Sequence, residues 1–275
     1  MRTASNACLP DEATVAAYAA DGAVAIRGVF APFVERLTAG VEALMANPSP
    51  RQRSYRPGDG SALFFQDLCN WRDVPEFEDF VLHSPAAAIA ARLMGSPSAR
   101  FFHDHVLVKE PGSSIATPWH QDMPYYCVSG ETNVSFWIPL DPVGRETSLE
   151  IVAGSHRWGL DHRPRRFDGS ILIDGDERVD IPDIDADRSQ HRILAWTLEP
   201  GDAVAFAFRA VHGAAANLST RRRRVFSARW VGADARFLDR GGKGSPALAH
   251  LDLETGDPLD GPDFPLVFDT GRPTT

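Results

Sequence analysis

Hydrophobic positions along the chain follow two regimes. In the first third they recur at helical spacing. Residues 11–20 (DEATVAAYAA) read as a helix that Asp11 caps and Asp21-Gly22 stops. Ala23-Val24-Ala25-Ile26 follows as a short strand. A second helix is expected from about Ala31 to Ala46, with Phe33, Leu37, Val41 and Leu44 on one stripe, and Asn47-Pro48-Ser49-Pro50 ends it. Residues 85–94 (PAAAIAARLM) form an Ala-rich helix between a leading Pro and Gly95. Residues 51–70 are polar, then turn aromatic at Phe64-Phe65-Gln66-Asp67-Leu68-Cys69-Asn70-Trp71. That pattern suits either a lid or pocket wall, or a surface loop that tucks in its aromatics.

From Arg100 the period shortens. Runs separated by turn residues suggest strands at 100–109, 117–122, 133–140, 148–153, 192–199, 203–211 and 222–231, with Pro200-Gly201-Asp202 as a turn. Helices followed by a run of strands argue for a mainly β fold with flanking helices packed outside a sandwich or barrel. Residues 154–190 interrupt the strands with charge, Gly and Pro and read as an insertion over one mouth. With no repeat and no clean linker, residues 1–275 are expected to form one domain. It would comprise a helical part (about 11–95), a barrel core (about 100–231) and a surface tail (about 239–275).

Composition narrows the function classes. A net charge of -9 disfavours a general nucleic-acid or anionic-membrane partner. No apolar run approaches the roughly 18 residues of a membrane span, and Met1-Arg2-Thr3-Ala4-Ser5 lacks the apolar core of a signal peptide. Cys8, Cys69 and Cys127 are odd in number and form no close pair, which suits a reducing cytoplasm. Nothing in the sequence sets an oligomeric state.

The chemistry concentrates at Thr117-Pro118-Trp119-His120-Gln121-Asp122. On an extended segment His120 and Asp122 face the same way, because the strand period is two. Iron(II) in non-haem oxygenases is commonly held by two histidines and one carboxylate on one face, with the opposite positions open. His212 ends an alternating run in which Val204, Phe206, Phe208 and Ala210 share its parity, so it is the candidate second histidine. Further on, Arg221-Arg222-Arg223-Arg224 leads into Val225-Phe226-Ser227-Ala228-Arg229-Trp230. An inward arginine there matches a dicarboxylate, since the guanidinium fork binds carboxylate bidentately and stays charged when desolvated. Parity alone does not separate Arg221 from Arg223. A competing cupin-like site could be built on His103 and His105, which share a strand face, but it lacks a carboxylate and a third histidine at suitable spacing.

With these residues in place the chain resembles the phytanoyl-CoA dioxygenase family of iron(II)- and 2-oxoglutarate-dependent oxygenases. The resemblance runs from Asp21-Gly22 to about Trp230. It is carried by Trp119-His120-Gln121-Asp122, Val134-Ser135-Phe136-Trp137-Ile138-Pro139-Leu140-Asp141, Gly154-Ser155-His156, Pro200-Gly201-Asp202, and His212-Gly213 with Arg223 eleven positions on. The resemblance implies a double-stranded β-helix, a jelly-roll or cupin-like barrel, with His120, Asp122 and His212 as iron ligands. It also implies Arg223 on the distal carboxylate of 2-oxoglutarate, and Trp137 and His105 lining that pocket. The hydroxyl residue often found two positions after the distal histidine is replaced by Ala214. Fe(II), with 2-oxoglutarate and O2 as co-substrates, would then hydroxylate a small-molecule metabolite with release of succinate and CO2. The retained Asp122 argues against a halogenase. Desaturation and ring formation would use the same ligands. Gln66, Asn70, Trp71 and Tyr125 are candidate substrate contacts, and their amides and aromatics suit a compact polar or amphiphilic molecule. The rival readings are a catalytically silent metal- or ligand-binding barrel and a zinc hydrolase using the same three ligands. Dependence on 2-oxoglutarate separates them.

Overall fold

A computed structural model describes residues 9–56, 58, 60, 62–166, 169–241, 244–246, 248 and 250–271. In chain order the elements are α1 (Glu12–Asp21), β1 (Ala23–Ile26), α2 (Val34–Ala46), β2 (Phe64–Leu68), α3 (Pro75–His83), α4 (Ala86–Met94), β3 (Ser98–Lys109) and β4 (Thr117–His120). There follow β5 (Val128–Ser129), β6 (Asn133–Pro139), β7 (Leu149–Val152), β8 (Ile193–Leu194), β9 (Ala203–Phe206), β10 (His212–Ala214), β11 (Arg223–Val231), β12 (Arg236–Phe237) and β13 (Leu266–Asp269). Among the described residues no helix is long and apolar enough to cross a membrane.

The helices start and stop where local chemistry dictates. Asp11 accepts a bond from the Thr14 amide at 2.8 Å, and Gly22 closes α1 with φ 75°. Gly95 closes α4 in the same left-handed conformation. The stripe on α2 is real: Leu37, Val41 and Leu44 are buried. A three-ten turn, Ala31–Phe33, precedes that helix and leaves Phe33 half-buried.

The strands form two main antiparallel sheets. The larger runs β1-β9-β6-β11-β3-β13, with β2 also paired to β3; the smaller runs β4-β10-β7-β8. They face each other as the two walls of an antiparallel jelly-roll, and their hydrogen bonding does not close them into a ring. Along β11 the side chains divide strictly. Phe226, Ala228 and Trp230 join Phe77, Phe80 and Ile89 of the helices in the outer core. Val225 joins Trp137, Leu149, Ile151 and Phe206 between the sheets. Each fully buried Phe or Leu of this kind contributes roughly 1.5–3 kcal/mol of hydrophobic stabilisation. The central strand β6, between β9 and β11, is buried at every position, its polar residues Asn133 and Ser135 included.

Several expectations are corrected. Residues 64–68, taken as part of a loop, are strand β2 in register with β3 (Phe64 opposite Lys109, Leu68 opposite His105). Residues 75–83 add a helix, α3, with Pro at its first position. The strand expected at 192–199 shrinks to Ile193–Leu194, followed only by a bridge between Leu198 and Val143. The strand expected at 203–211 ends at Phe206. The expected surface tail is part of the structure: Leu266–Asp269 pairs with the start of β3, and Leu259 and Phe264 are buried beside Phe102 and Tyr126. Pairing to a free sheet edge and burial of two large apolar side chains outweigh the Gly, Pro and Asp content around them.

Candidate metal centre

The three candidate ligands come from three local structures. His120 closes β4 and lies opposite His212, the first residue of β10. Asp122 is not on the strand, as the period-two reading had it. The strand stops at His120, and Asp122 has helical dihedrals (φ -75°, ψ -40°) at the head of the three-ten turn Met123–Tyr125. The Phe208 carbonyl accepts from the Asp122 and Met123 amides at 2.8 and 2.9 Å and fixes that turn. His212 likewise owes its place to a turn at 207–211 rather than to parity with Val204 and Phe206.

The result is a compact donor set. One atom each from His120, Asp122 and His212 lies within 4.8 Å of the others. Asp122 Oδ1 is 3.8 Å from His120 Nε2 and 4.0 Å from His212 Nε2. Each imidazole places Nδ1 against a backbone carbonyl, His120 on Pro118 at 2.8 Å and His212 on Ala210 at 2.9 Å. Only an N–H can face an oxygen, so the lone pairs sit on both Nε2 atoms, toward Asp122. Burial, and next the nearby His120, pushes His212 down to about 3, which keeps it neutral.

Asp122 is held from behind. Its Oδ2 lies 3.6 Å from Arg229 Nε and accepts from Ser135 Oγ at 3.4 Å. The Tyr126 hydroxyl accepts from Arg229 Nε and bonds to Asp122. Burial alone would raise the Asp122 carboxyl. Arg229, then the two imidazoles and Tyr126, more than offset that and hold it below the usual carboxylate range. Oδ2 is thereby occupied and Oδ1 is left for a metal. Two neutral nitrogens and one anionic oxygen on one side of a site fit Fe(II), with the remaining positions facing open space.

That space is a cavity of about 700 Å³ between the sheets. Its floor is the inward face of β3, β11, β6 and β2. Cross-strand pairs run along it: Lys109 with Arg223, Leu107 with Val225, His105 with Ser227, His103 with Arg229. Arg223 is buried, whereas Arg221 is exposed and borders a separate hollow. The Arg223 guanidinium lies 6.0 Å from the centre of the Trp137 ring and donates to the Thr147 carbonyl. His105 Nε2 meets Gln66 Oε1 at 3.0 Å. Gln66, His105, Tyr125 and Trp137 all line the cavity.

Asn70 and Trp71 do not. At Cys69 the backbone turns through φ 58°, and the chain leaves the sheet. Asn70 is then fully buried, donating to Asp67 Oδ1 at 2.9 Å and offering its carbonyl to the amides of Asp73 and Val74, while Trp71 packs edge-on against Phe101. Amide and aromatic side chains there serve the entry into α3, not the cavity. His103 and His105 both line the wall, but the only metal-sized group of His, Cys, Asp and Glu among the described residues is His120, Asp122 and His212. Arg229 and Lys109 were missed. Arg229 shares parity with Arg223 on β11, and Lys109 with His103 and His105 on β3, so the signal was present.

The insertion is tied to the centre through the residue between two ligands. Gln121 donates to Leu160 O at 3.1 Å and Arg209 O at 2.9 Å, and accepts from the His162 amide at 2.8 Å. Arg163, Leu172 and Ile184 from the same segment then border the cavity. The insertion carries no helix or strand longer than a three-ten turn among its described residues.

Facing antiparallel sheets that hold two imidazole Nε2 atoms and a carboxylate oxygen beside a cation-lined cavity define a non-haem iron oxygenase of the jelly-roll type. The phytanoyl-CoA dioxygenase family model matches residues 18–225, and the chain belongs to that family. It is a 2-oxoglutarate-dependent dioxygenase, with iron and 2-oxoglutarate as its cofactors. A probable phytanoyl-CoA dioxygenase of Caenorhabditis elegans is 23% identical over 220 residues, covering 77% of this chain and 68% of its own. Among solved structures, SnoK, a non-heme alpha ketoglutarate dependent carbocyclase from nogalamycin biosynthesis, aligns with a TM-score of 0.75 and 26% identity, covering 94% of this chain and 96% of its own. The epimerase SnoN in complex with Fe3+, alpha ketoglutarate and nogalamycin RO aligns with a TM-score of 0.75 and 25% identity, covering 93% and 98%.

Proposed function

We propose that this chain hydroxylates a small-molecule metabolite, with His120, Asp122 and His212 holding iron(II) and Arg223 holding the distal carboxylate of 2-oxoglutarate. The observation that carries the reading is the pair of Nδ1 contacts to Pro118 and Ala210, which leave both Nε2 lone pairs directed at Asp122. Bound iron, 2-oxoglutarate and O2 would supply the oxidation, with succinate and CO2 released. The chain's own residues orient and shield. Arg229 and Tyr126 keep Asp122 in one rotamer, Trp137 and His105 wall the co-substrate end, and apolar residues such as Leu149, Phe206 and Val225 keep water from the centre.

For the substrate, Gln66 and Tyr125 remain the favoured contacts, joined by the insertion segment at the mouth. Amide and hydroxyl groups among aromatic and aliphatic side chains suit a compact polar or amphiphilic molecule. A cytoplasmic setting is supported by the free thiols of Cys69 and Cys127. A second outcome has specific support, because the similar structures SnoK and SnoN are described as a carbocyclase and an epimerase. Such reactions would use the same ligands without retaining oxygen in the product.

The test is anaerobic titration of Fe(II)-loaded protein with 2-oxoglutarate, following the visible charge-transfer band of the chelate, then admission of air and assay of succinate. A band and slow succinate release, both lost in Asp122→Ala, are expected. Absence of the band at saturating co-substrate overturns the proposal in favour of a silent barrel or a zinc site. With a turned-over substrate, mass spectrometry separates the outcomes: one oxygen gained, two hydrogens lost, or no mass change.

A further inference from the structure

Arginines gather at the rim of the cavity from two distant parts of the chain. Arg53 precedes β2, while Arg163, Arg165 and Arg166 belong to the insertion, and all four line the cavity. Tyr125, on the metal turn, brings the two groups together. Its hydroxyl donates to the Arg165 carbonyl at 2.7 Å and accepts from the Arg165 amide at 2.9 Å. Its own carbonyl accepts from the Ser245 amide at 2.8 Å, and Ser245 Oγ accepts from the Arg53 guanidinium at 3.0 Å. The Arg53 amide donates to the Gln66 carbonyl at 2.8 Å. The arginines therefore flank Gln66 and Tyr125, the two favoured substrate contacts.

The rim carries more positive charge than it neutralises. Its two carboxylates are Asp180 and Asp183. Asp180 is shared by Arg163 at 3.2 Å and Arg165 at 2.8 Å, and Asp183 accepts from the Ala186 amide at 3.1 Å. Arg166 bonds within its own loop, donating to Ser170 Oγ at 3.3 Å and to the carbonyls of Ile171 at 2.6 Å and Leu172 at 3.3 Å. Among the described residues neither Arg53 nor Arg166 has a carboxylate within ion-pair distance. Beside the same turn, Arg240 donates to the carbonyls of Tyr126 and Met123, and burial, then the charge of Arg178, holds it below the usual guanidinium range. Other arginines, such as Arg188, Arg192 and Arg224, pair with Glu150, Asp21 and Asp141. In a chain of net charge -9, unpaired arginines at one opening focus positive potential there.

We propose that Arg53 and Arg166 form an anion seat at the rim, so that the substrate is a compact acid. Its phosphate, sulfate or carboxylate rests on the two guanidiniums while the carbon to be oxidised lies at the iron. This rests on the oxygenase reading given above. Guanidinium forks match the oxygens of such groups bidentately and keep their charge. The seat is separate from that of 2-oxoglutarate. Arg223 is buried near Trp137 and Thr147, whereas Arg53 and Arg166 are exposed. A cavity of about 700 Å³ must hold both molecules, which keeps the acid small. The seat also sets direction, because an acid caught at the rim enters with its uncharged end toward the metal.

The experiment is calorimetric titration of Mn(II)-loaded protein, first with 2-oxoglutarate to saturation and then with phenylphosphonate, benzoate or the neutral benzamide. At least one of the two anions should bind about tenfold or more tightly than benzamide, the contribution of one charged hydrogen bond. Raising NaCl from about 0.05 to about 0.5 M should weaken the anion by about threefold or more and leave benzamide unchanged. In the double variant Arg53→Gln/Arg166→Gln that preference should disappear. Both residues are exposed, so 2-oxoglutarate and benzamide should bind within about twofold of wild type. A preference for phenylphosphonate assigns the seat to tetrahedral anions, and one for benzoate assigns it to carboxylates.

Anions that bind no more tightly than benzamide overturn the inference, and that comparison needs no variant. A preference that survives in the double variant overturns it as well. Displacement of the anion by further 2-oxoglutarate places it on Arg223 and does the same. Failure of the wild type to bind 2-oxoglutarate overturns the oxygenase reading itself, a result visible before any probe is added.

Discussion

Replacing Arg229 by Met leaves Asp122 buried without its cation, and the cost follows from the geometry. The two groups are 3.6 Å apart with side chains 6% and 7% exposed, so solvent screening is slight. At an effective dielectric near 20, unit charges at that distance interact by roughly 4–5 kcal/mol. Removing one partner of a buried pair costs about 3–5 kcal/mol in practice. For a chain of this length that corresponds to a fall in Tm of about 5–9 °C. The metal changes the outcome. A divalent ion on Oδ1 supplies the charge that Arg229 no longer does, so saturating Mn(II) should recover at least half of the loss. The assay is thermal unfolding by circular dichroism of wild type and Arg229→Met, each in EDTA and with Mn(II). A variant within a degree of wild type in EDTA would show that the pair contributes nothing. An equal loss with and without metal would show that Arg229 acts through packing rather than charge, and either result refutes the reasoning.

Other perturbations separate neighbouring roles. Arg223→Ala should weaken 2-oxoglutarate binding by about 10–100-fold, since a charged hydrogen bond contributes about 1.5–3 kcal/mol, whereas Arg221→Ala, on an exposed residue outside the cavity, should change it by less than about twofold. Equal effects in a binding titration would show that the register of β11 has been misjudged. Gly201 has φ 90°, and a Cβ there would sit 2.4 Å from the Ala31 backbone. Gly201→Ala should therefore cost at least about 1–3 kcal/mol in chemical denaturation, and a change below that range would show that the turn can shift.

The candidate ligand set, which the structure brings within metal-binding distance, was legible because His120, Asp122 and His212 belong to residue types with specific chemistry, and because their context resembles a known family. The route by which they meet was not. Phe206-Ala207-Phe208 is apolar whether it continues a strand or turns inward, and Phe208 is buried either way, beside Phe102 and Tyr126. The sequence therefore could not reveal the turn that delivers His212. Asn70 and Trp71 show a related limit. Composition marked them as suited to a pocket, but the left-handed residue Cys69 decides which side of the sheet they reach. Arg229 could have been found from the parity that placed Arg223. The pairing of Leu266–Asp269 with Ser98 and its neighbours could not, since a four-residue run gains its strand character from an edge contributed far away in the chain.

The three hydrogen bonds of Gln121 anchor the root of the insertion more densely than the rest of it. Leu160 and His162 are pinned beside the metal turn, and the stretch beyond them is tied more sparsely, by Arg165 to the Tyr125 hydroxyl, Ile184 against Val152 and Val211, and Arg188 to Glu150, with internal pairs such as Arg165 with Asp180 at 2.8 Å. Substitutions in that outer stretch can reshape what the mouth admits while the iron ligands stay where they are. Selection could thus retune substrate preference in small steps, each sampled on an enzyme whose oxidising centre is already assembled.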